Sequence, residues 1–162
     1  EVSILRLNTM KAIQNSLFTF VLGITFLIFL GPFLLDFIGT NTKLESPYFI
    51  IIMAFVWFFE RHHAMHAQIY VTTNKIPFYK TAIISGIVNI CLMFFLVPRI
   101  GVWGFPISLG VSNLLINNWW NVKISLTSLN VNFVPYFKKS ALYPFLALLI
   151  LTIIKILLLN LN

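Results

Sequence analysis

Long apolar runs constrain this chain more than any other feature of its sequence. The runs cover residues 16–37, 47–70, 81–97, 102–120 and 140–159. Each approaches the ~20 residues that a helix needs to cross ~30 Å of hydrocarbon. In lipid only helices and closed barrels satisfy every backbone group, and continuous runs without period-two alternation favour helices. The sequence therefore predicts an all-α fold, a polytopic membrane helix bundle of about five transmembrane helices.

The composition supports the membrane class. Charged residues make up 9% of the chain and hydrophobic residues 59%, whereas soluble domains carry about 25% charged residues. The net charge of +7 is spread over the gaps between the runs and forms no basic stripe with aromatic residues, so we expect no nucleic-acid partner. The single cysteine, Cys91, lies in an apolar run and is interpreted as a small buried hydrophobe.

The basic residues predict an orientation. Cations are enriched on the cytoplasmic side of membrane proteins, and one side of the predicted bundle holds most of them. The richer side has Arg6, Lys11, Lys75, Lys80, Lys123, Lys138 and Lys139, and the other has Lys43 and Arg99, with Lys155 near the end of the last run. We therefore expect loops 71–80 and 121–139 to be cytoplasmic.

The ends of the chain suggest a part of a larger protein. Residues 1–14 alternate apolar with charged or amide side chains, which predicts a linker or amphipathic segment on the inner membrane surface. Residues 15–162 form the predicted transmembrane bundle. The chain starts at Glu1 and shows no signal-peptide pattern, so we expect it to be a fragment of a longer chain.

The end of the fourth run combines aromatic and amide side chains. Trp119 and Trp120 are interpreted as anchors at the membrane interface, where an indole finds both apolar and polar surroundings. Asn117, Asn118 and Asn121 are expected to face the bundle interior, because an amide in lipid needs a partner.

A polar cluster interrupts the second run at Glu60-Arg61-His62-His63. A charged side chain inside lipid costs about 2.5–3.5 kcal/mol on insertion scales. At 1.5 Å per residue, Glu60 lies ~20 Å from Pro47, in the inner third of the hydrocarbon. Such side chains persist where they face a cavity, a partner or a substrate, so this cluster is the best indicator of function.

Helical geometry selects the candidate site residues. Arg61 and Gln68 project within about 20° of each other, and Trp57 and Glu60 lie on the adjoining sector. Three hypotheses remain open: Glu60 and Arg61 are interhelical ion-pair and hydrogen-bond partners, Arg61 binds an anionic substrate group in a cavity, or Glu60 and the histidines pass protons. The predicted substrate-binding residues of the cavity are Arg61, Glu60, Gln68 and Trp57.

A metal centre and catalytic chemistry are not predicted. His62 and His66 have the i, i+4 spacing of two zinc ligands, but Glu60 precedes them, and a second acidic or cysteine cluster is missing. No Ser or Cys lies beside a base with an orienting acid. We therefore predict no catalytic residue, no cofactor, no metal and no enzyme activity.

Several motifs resemble a known transporter family. His66–Tyr79 contains a small-polar loop with Asn74-Lys75, and Ile84–Ile90 carries Gly86 and Asn89. A return Pro98-Arg99-Ile100-Gly101-Val102-Trp103-Gly104 follows. This pattern is similar to the second half of Wzx-type O-antigen and polysaccharide flippases, in the multidrug/oligosaccharidyl-lipid/polysaccharide exporter superfamily.

The resemblance implies a fold and a function. The five runs would match the second bundle of a twelve-helix transporter fold, and the N-terminal bundle of the same protein would be missing. The family implies a multi-pass protein of the bacterial inner (plasma) membrane that flips undecaprenyl-pyrophosphate-linked oligosaccharides by alternating access, for O-antigen or capsule synthesis. The expected partners are this lipid-linked substrate and membrane lipids. The alternatives are a membrane-embedded transferase of envelope synthesis and a structural membrane subunit.

Overall fold

The computed structural model describes residues 2–71 and 78–161, and these residues form helices and turns without a β-strand. The α-helices are α1 (Val2–Ile38), α2 (Pro47–Val71), α3 (Tyr79–Ile100), α4 (Gly104–Ser112), α5 (Asn118–Ser128), α6 (Phe133–Ser140) and α7 (Leu142–Asn160). A 3-10 turn, Gly101–Trp103, precedes α4, and a π-helical turn, Asn113–Asn117, joins α4 to α5. The all-α prediction is confirmed.

The described part of the chain contains three helical stretches that are long and apolar enough to cross a membrane: Arg6–Ile38, Tyr79–Ser128 and Leu142–Asn160. Helix α2 is not among them, because its charged and histidine residues lower its mean hydropathy. Large apolar side chains also cover the outside, and Phe37 and Phe94 are 79% and 80% exposed. Soluble monomers rarely expose large apolar patches, so both findings are compatible with a membrane protein.

The exposed surface corrects one expectation. Cys91 is exposed on α3 and not buried. An apolar run that is hydrophobic on all faces does not show which face packs inward.

Helix α1 differs from its predicted boundary. It begins at Val2 and continues without a break past residue 14. Residues 1–14 were predicted to form a separate segment on the membrane surface. The reason is a stripe of buried side chains, spaced three or four residues apart on one face of the helix. This stripe begins at Thr9, before the last charged residue that precedes the apolar run, Lys11. The stripe consists of Thr9, Ile13, Leu17, Val21, Ile24 and Ile28. The location of residues 1–14 on the inner membrane surface stays a prediction.

Helix α2 is the central element of the bundle and begins and ends within one residue of the predicted run. It packs against α1 on one side and against α4 and α5 on the other. Phe58 is buried in its middle, with ring centroids 6.4 Å from Phe20 of α1 and 5.7 Å from Phe145 of α7. The N-terminal half of α2 is therefore held by apolar packing, and its C-terminal half is left for polar contacts.

Helices α3 and α4–α5 form an antiparallel hairpin. Thr81 Oγ1 lies 2.9 Å from Asn121 Oδ1, and Asn117 Nδ2 donates to Ser85 Oγ at 3.0 Å. These pairs align the start of α3 with the π turn and with the start of α5. The predicted runs 81–97 and 102–120 are thus antiparallel neighbours.

Two glycines allow the return of the hairpin. Gly101 has a φ of +61°, which L side chains rarely adopt. Gly104 lies against α3, and a Cβ at this position would lie 2.7 Å from the backbone N of Val97. The hairpin can close this tightly only because residue 104 has no side chain.

The segment after the fourth run contains structure that the sequence analysis missed. Residues 121–139 were predicted to be a loop, but α5 continues to Ser128 and α6 covers Phe133–Ser140. The segment holds no long apolar run, yet α6 forms, because proline is tolerated in the first turn of a helix and cations suit the last turn. The other predicted loop, 71–80, falls largely on residues 72–77, which lie outside the described residues.

Candidate functional site

The four predicted site residues lie along α2 on two adjoining sectors. Arg61 and Gln68 are exposed, and Trp57 is 40% exposed. Glu60 is half-buried and faces the π turn between α4 and α5. The structure thus brings Trp57, Arg61 and Gln68 to one outward face and turns Glu60 toward a neighbouring helix.

The guanidinium of Arg61 is positioned by α1. Its Nε donates a hydrogen bond of 2.7 Å to Ser16 Oγ. The acceptor is a neutral hydroxyl, and within residues 2–71 and 78–161 Arg61 has no carboxylate at ion-pair distance. The side chain is therefore held in place while its positive charge stays uncompensated.

Glu60 belongs to an amide network. Its Oε2 accepts a hydrogen bond of 3.1 Å from Asn113 Nδ2. Asn117 Nδ2 in turn donates to Asn113 Oδ1 at 2.9 Å and to Ser85 Oγ at 3.0 Å. The carboxylate on α2 is thus connected through the π turn to α3. Glu60 and Arg61 both bond to other helices, but in the described structure they do so separately and through neutral partners.

The asparagines behave as the sequence predicted. Asn117 and Asn121 are buried, whereas Trp119 and Trp120 are exposed by 71% and 57%. Asn113 was not predicted, although it is 4% exposed and contacts the one carboxylate of α2. Its spacing of four residues from Asn117 was the available signal, since residues i and i+4 share a helix face.

The histidines of α2 meet a tyrosine that the sequence analysis missed. The hydroxyl of Tyr136 lies 2.8 Å from Nε2 of His62 and 2.5 Å from Nε2 of His66. All three side chains are buried, and Tyr136 is only 1% exposed. Tyr136 lies on α6, inside the segment predicted as a loop. The aromatic spacing Phe133, Tyr136, Phe137 was the signal for a helix with one buried face.

The hydrogen-bond directions in this cluster follow from one amide. Asn118 Nδ2 donates to the carbonyl of Asn113 at 3.3 Å, so Asn118 Oδ1 faces His62 Nδ1 at 3.1 Å. A carbonyl oxygen only accepts, hence His62 carries its proton on Nδ1, and in a neutral ring its Nε2 then accepts from Tyr136. The single tyrosine proton is thereby used, and His66 must donate from Nε2.

This assignment leaves one free lone pair. His66 Nδ1 is buried and has no hydrogen-bond partner among the residues that the structure describes. Burial raises the pKa of the Tyr136 phenol above its ordinary value, so the hydroxyl remains protonated and can donate. The cluster is a chain of donors that runs from His66 through Tyr136 and His62 to Asn118, and it fixes α6 and α5 to α2.

The same geometry bears on metal binding. The two Nε2 atoms of His62 and His66 point at a tyrosine hydroxyl that both of them bond. In the described ranges, 2–71 and 78–161, no group of three or more His, Cys, Asp or Glu residues is arranged to hold a metal ion. The i, i+4 histidine pair thus connects helices in this structure.

Protein-family models, curated proteins and solved structures were each compared with the chain, and none of the three comparisons finds a match. The function therefore has to be inferred from the residues and their geometry. Within the described residues the geometry offers two features: a guanidinium without an ion-pair partner on an outward face of α2, and a buried polar network behind it.

Proposed function

We propose that this chain is the second helical bundle of a twelve-helix flippase of the bacterial inner membrane. The substrate is an oligosaccharide linked to undecaprenyl pyrophosphate, destined for O-antigen or capsule. In this proposal α1, α2, α3, α4–α5 and α7 make five crossings. Support comes from the resemblance of roughly residues 45–125 to Wzx-type flippases and from the exposed guanidinium of Arg61.

The exposure of Arg61 carries the proposal. Arg61 lies fourteen residues into α2, ~21 Å from its start, where contact with lipid tails is costly. The hydrogen bond that Arg61 Nε donates to Ser16 Oγ orients the side chain but does not neutralise it. A charge in this position is tolerated when the outward face of α2 borders a polar cavity, and a second bundle packed against this face would enclose such a cavity.

The chemistry of the face suits a pyrophosphate linked to a sugar. A guanidinium binds phosphate oxygens through paired N–H donors and stays charged when partly buried. The indole of Trp57, one turn before Arg61, offers an apolar face and an N–H donor to a sugar. Gln68, two turns after Arg61, adds an amide that can bond hydroxyl groups. The proposed roles are phosphate binding for Arg61 and sugar contact for Trp57 and Gln68.

The proposal also gives Glu60 a role. Its carboxylate is tied to the π turn Asn113–Asn117 and not to Arg61. π turns inside helices are frequent at functional sites. In alternating access, a change in this turn would shift α2 relative to the hairpin of α3 and α4–α5. Because Glu60 is bonded to this turn, a movement of the hairpin would be transmitted through Glu60 to the face of α2 that contacts the substrate.

Complementation of a flippase-deficient strain tests the proposal. The protein that carries this chain is expressed as wild type, R61A, R61K and R99A, and surface polysaccharide is measured at equal membrane protein levels. Arg99 is a matched control, since it is an exposed arginine in the last turn of α3. Its Nη1 donates to the Phe95 carbonyl on the same helix. We expect R61A to reduce polysaccharide at least about tenfold, which corresponds to the loss of one hydrogen-bonded charge contact. We expect R61K to retain part of the activity.

Two outcomes would overturn the proposal. Full polysaccharide export by R61A at normal protein levels would leave a structural subunit as the better assignment. Export that fails equally in R61A and R99A would show that arginine replacement acts through folding or insertion and not through a substrate contact on α2.

A further inference from the structure

We infer that the end of the α3/α4–α5 hairpin near Lys80 and Lys123 binds a phospholipid with an anionic headgroup. This inference is independent of the proposed transport activity. It rests on two adjoining cavities, on the charges around them and on the aromatic side chains that line them.

The first observation is the shape of the surface. One cavity of about 630 Å³ lies between α3 and the π turn with α5, lined on its apolar side by Ile84, Leu115 and Ile116. A second cavity of about 400 Å³ adjoins it, and Trp120 and Ile124 line both. Cavities of small-molecule sites span about 300–1,000 Å³. The two cavities together form an apolar groove, the hairpin groove, with Trp120 and Ile124 as the ridge between its halves.

The second observation is the charge of the groove. Lys80 lines one half and Lys123 lines the other, and both side chains are exposed. In residues 2–71 and 78–161 neither lysine forms an ion pair. Lys80 lies beside the Tyr79 ring, with Nζ 5.8 Å from its centroid. The groove thus presents two ammonium groups without a carboxylate.

None of the three carboxylates of the described chain lines the groove: Glu60 lies in the middle of α2 and bonds to Asn113, and the other two lie at the far end. Asp36 and Glu45 line a separate cavity of about 300 Å³ together with Lys43 and Lys155. That cavity includes Pro47 at the first residue of α2, whereas the hairpin groove includes Tyr70 near its last residue. The two sites are therefore at opposite ends of α2, ~35 Å apart. One end has mixed charges, and the end with the groove is cationic.

The third observation is the pattern of aromatic residues. Tyr79, Trp119 and Trp120 are exposed by 56%, 71% and 57% around the rim. Tyrosine and tryptophan favour the headgroup level, where the ring is apolar and the O–H or N–H is polar. Thr127 and Ser128 add hydroxyl groups on the same side as Lys123. The rim therefore matches a headgroup, and the groove below it matches an acyl chain.

The apolar groove, the two lysines and the aromatic rim together fit an anionic phospholipid better than other ligands. Basic pockets between transmembrane helices on the cytoplasmic side bind anionic headgroups. A zwitterionic headgroup would bring its own ammonium close to Lys80 and Lys123 and gain less. A free phosphate would leave the apolar groove unused. The site is thus one for a phosphate diester attached to acyl chains, and the phosphate contacts are assigned to Lys80 and Lys123.

A binding assay in detergent tests the assignment. The purified protein is titrated with phosphatidylglycerol and, separately, with phosphatidylcholine, and bound lipid is counted by native mass spectrometry. The K80Q/K123Q variant is compared with a K43Q/K155Q control, which removes two cavity-lining cations at the other end. We expect roughly 30-fold weaker phosphatidylglycerol binding in K80Q/K123Q, from about 1 kcal/mol per lysine, and no change in the control.

Further arms separate the ligand sources. Glycerophosphate alone is expected not to compete with phosphatidylglycerol, since it lacks the acyl chains. Equal binding of phosphatidylcholine, or undiminished phosphatidylglycerol binding by K80Q/K123Q, would overturn the assignment. So would a more than tenfold preference for a polyprenyl phosphate, which would make the groove a site for the transported lipid. A W120A variant that keeps its thermal stability and loses phosphatidylglycerol would support it.

Discussion

The hydroxyl of Tyr136 lies 2.8 Å from Nε2 of His62, and this contact joins helix α6 to helix α2 across 74 residues of sequence. The same hydroxyl bonds His66 one turn further along α2. Because all three groups are buried, the loss of one leaves a buried polar atom of another without its partner, and such losses are costly. The cluster is therefore the main polar connection between α6 and the rest of the bundle.

Replacement of Tyr136 tests this connection. Y136F keeps the ring and removes the hydroxyl, so both histidines lose a partner. We expect the free energy of unfolding to fall by about 1–3 kcal/mol, measured by thermal or denaturant unfolding in detergent. Y143F is the control, because Tyr143 is 59% exposed, and it should unfold like the wild type. An equal effect of the two variants would contradict the role of the hydroxyl.

The proton positions are a second prediction. The amide of Asn118 requires His62 to be protonated on Nδ1 and His66 on Nε2. Nitrogen NMR of ¹⁵N-histidine-labelled protein distinguishes the two neutral tautomers, and H62Q and H66Q assign the signals. We expect the two rings to show opposite tautomers. The same tautomer in both rings would show that the donor chain does not run from His66 to Asn118.

The amide contact of Glu60 gives a third prediction. N113A removes the donor to the Glu60 carboxylate and the acceptor for Asn117. Hydrogen bonds between membrane helices contribute about 0.6 kcal/mol on average and up to about 1.7, and we expect a loss of stability at the upper end of this range, because a carboxylate is left unpaired. N8A, at an exposed position of α1, is the control for unfolding in detergent. Unchanged stability of N113A would mean that the π turn does not hold Glu60.

The close approach at the hairpin return gives a fourth prediction. G104A would place a Cβ 2.7 Å from the Val97 backbone N, so α3 and α4 must separate. Overpacking of this kind costs about 1–3 kcal/mol, measured as a lower unfolding temperature. G86A in the same hairpin meets nothing within 4 Å and should be neutral or slightly stabilising, because alanine is the better helix former. A tolerated G104A would contradict the tight return.

The sequence predicts the bounds of long apolar helices better than it predicts short helices or the faces that pack inward. The bounds of α2 and α7 were predicted within about two residues, because apolar runs between turn residues mark the ends of helices in lipid. Helix α6 was missed because it has eight residues and lies almost wholly outside the long apolar runs. The inward or outward face of a uniformly apolar helix, as at Cys91, depends on its neighbours and not on its own sequence.

The candidate site was predicted in part for a similar reason. Helical periodicity placed Arg61 and Gln68 on one face of α2, and the structure has both exposed. Periodicity cannot identify the partner across an interface, so Ser16, Asn113 and Tyr136 were not predicted. The i, i+4 spacing of His62 and His66 is visible in the sequence, but their common partner comes from a distant helix.

The most direct test of the proposed function is the rate at which the reconstituted protein moves a lipid-linked oligosaccharide across proteoliposomes. The R61A variant is compared with R99A at equal protein and lipid content. If Arg61 binds the pyrophosphate, R61A will flip the substrate at least about tenfold more slowly than R99A, and R99A will match the wild type. An R61A rate equal to that of R99A and the wild type would contradict the account.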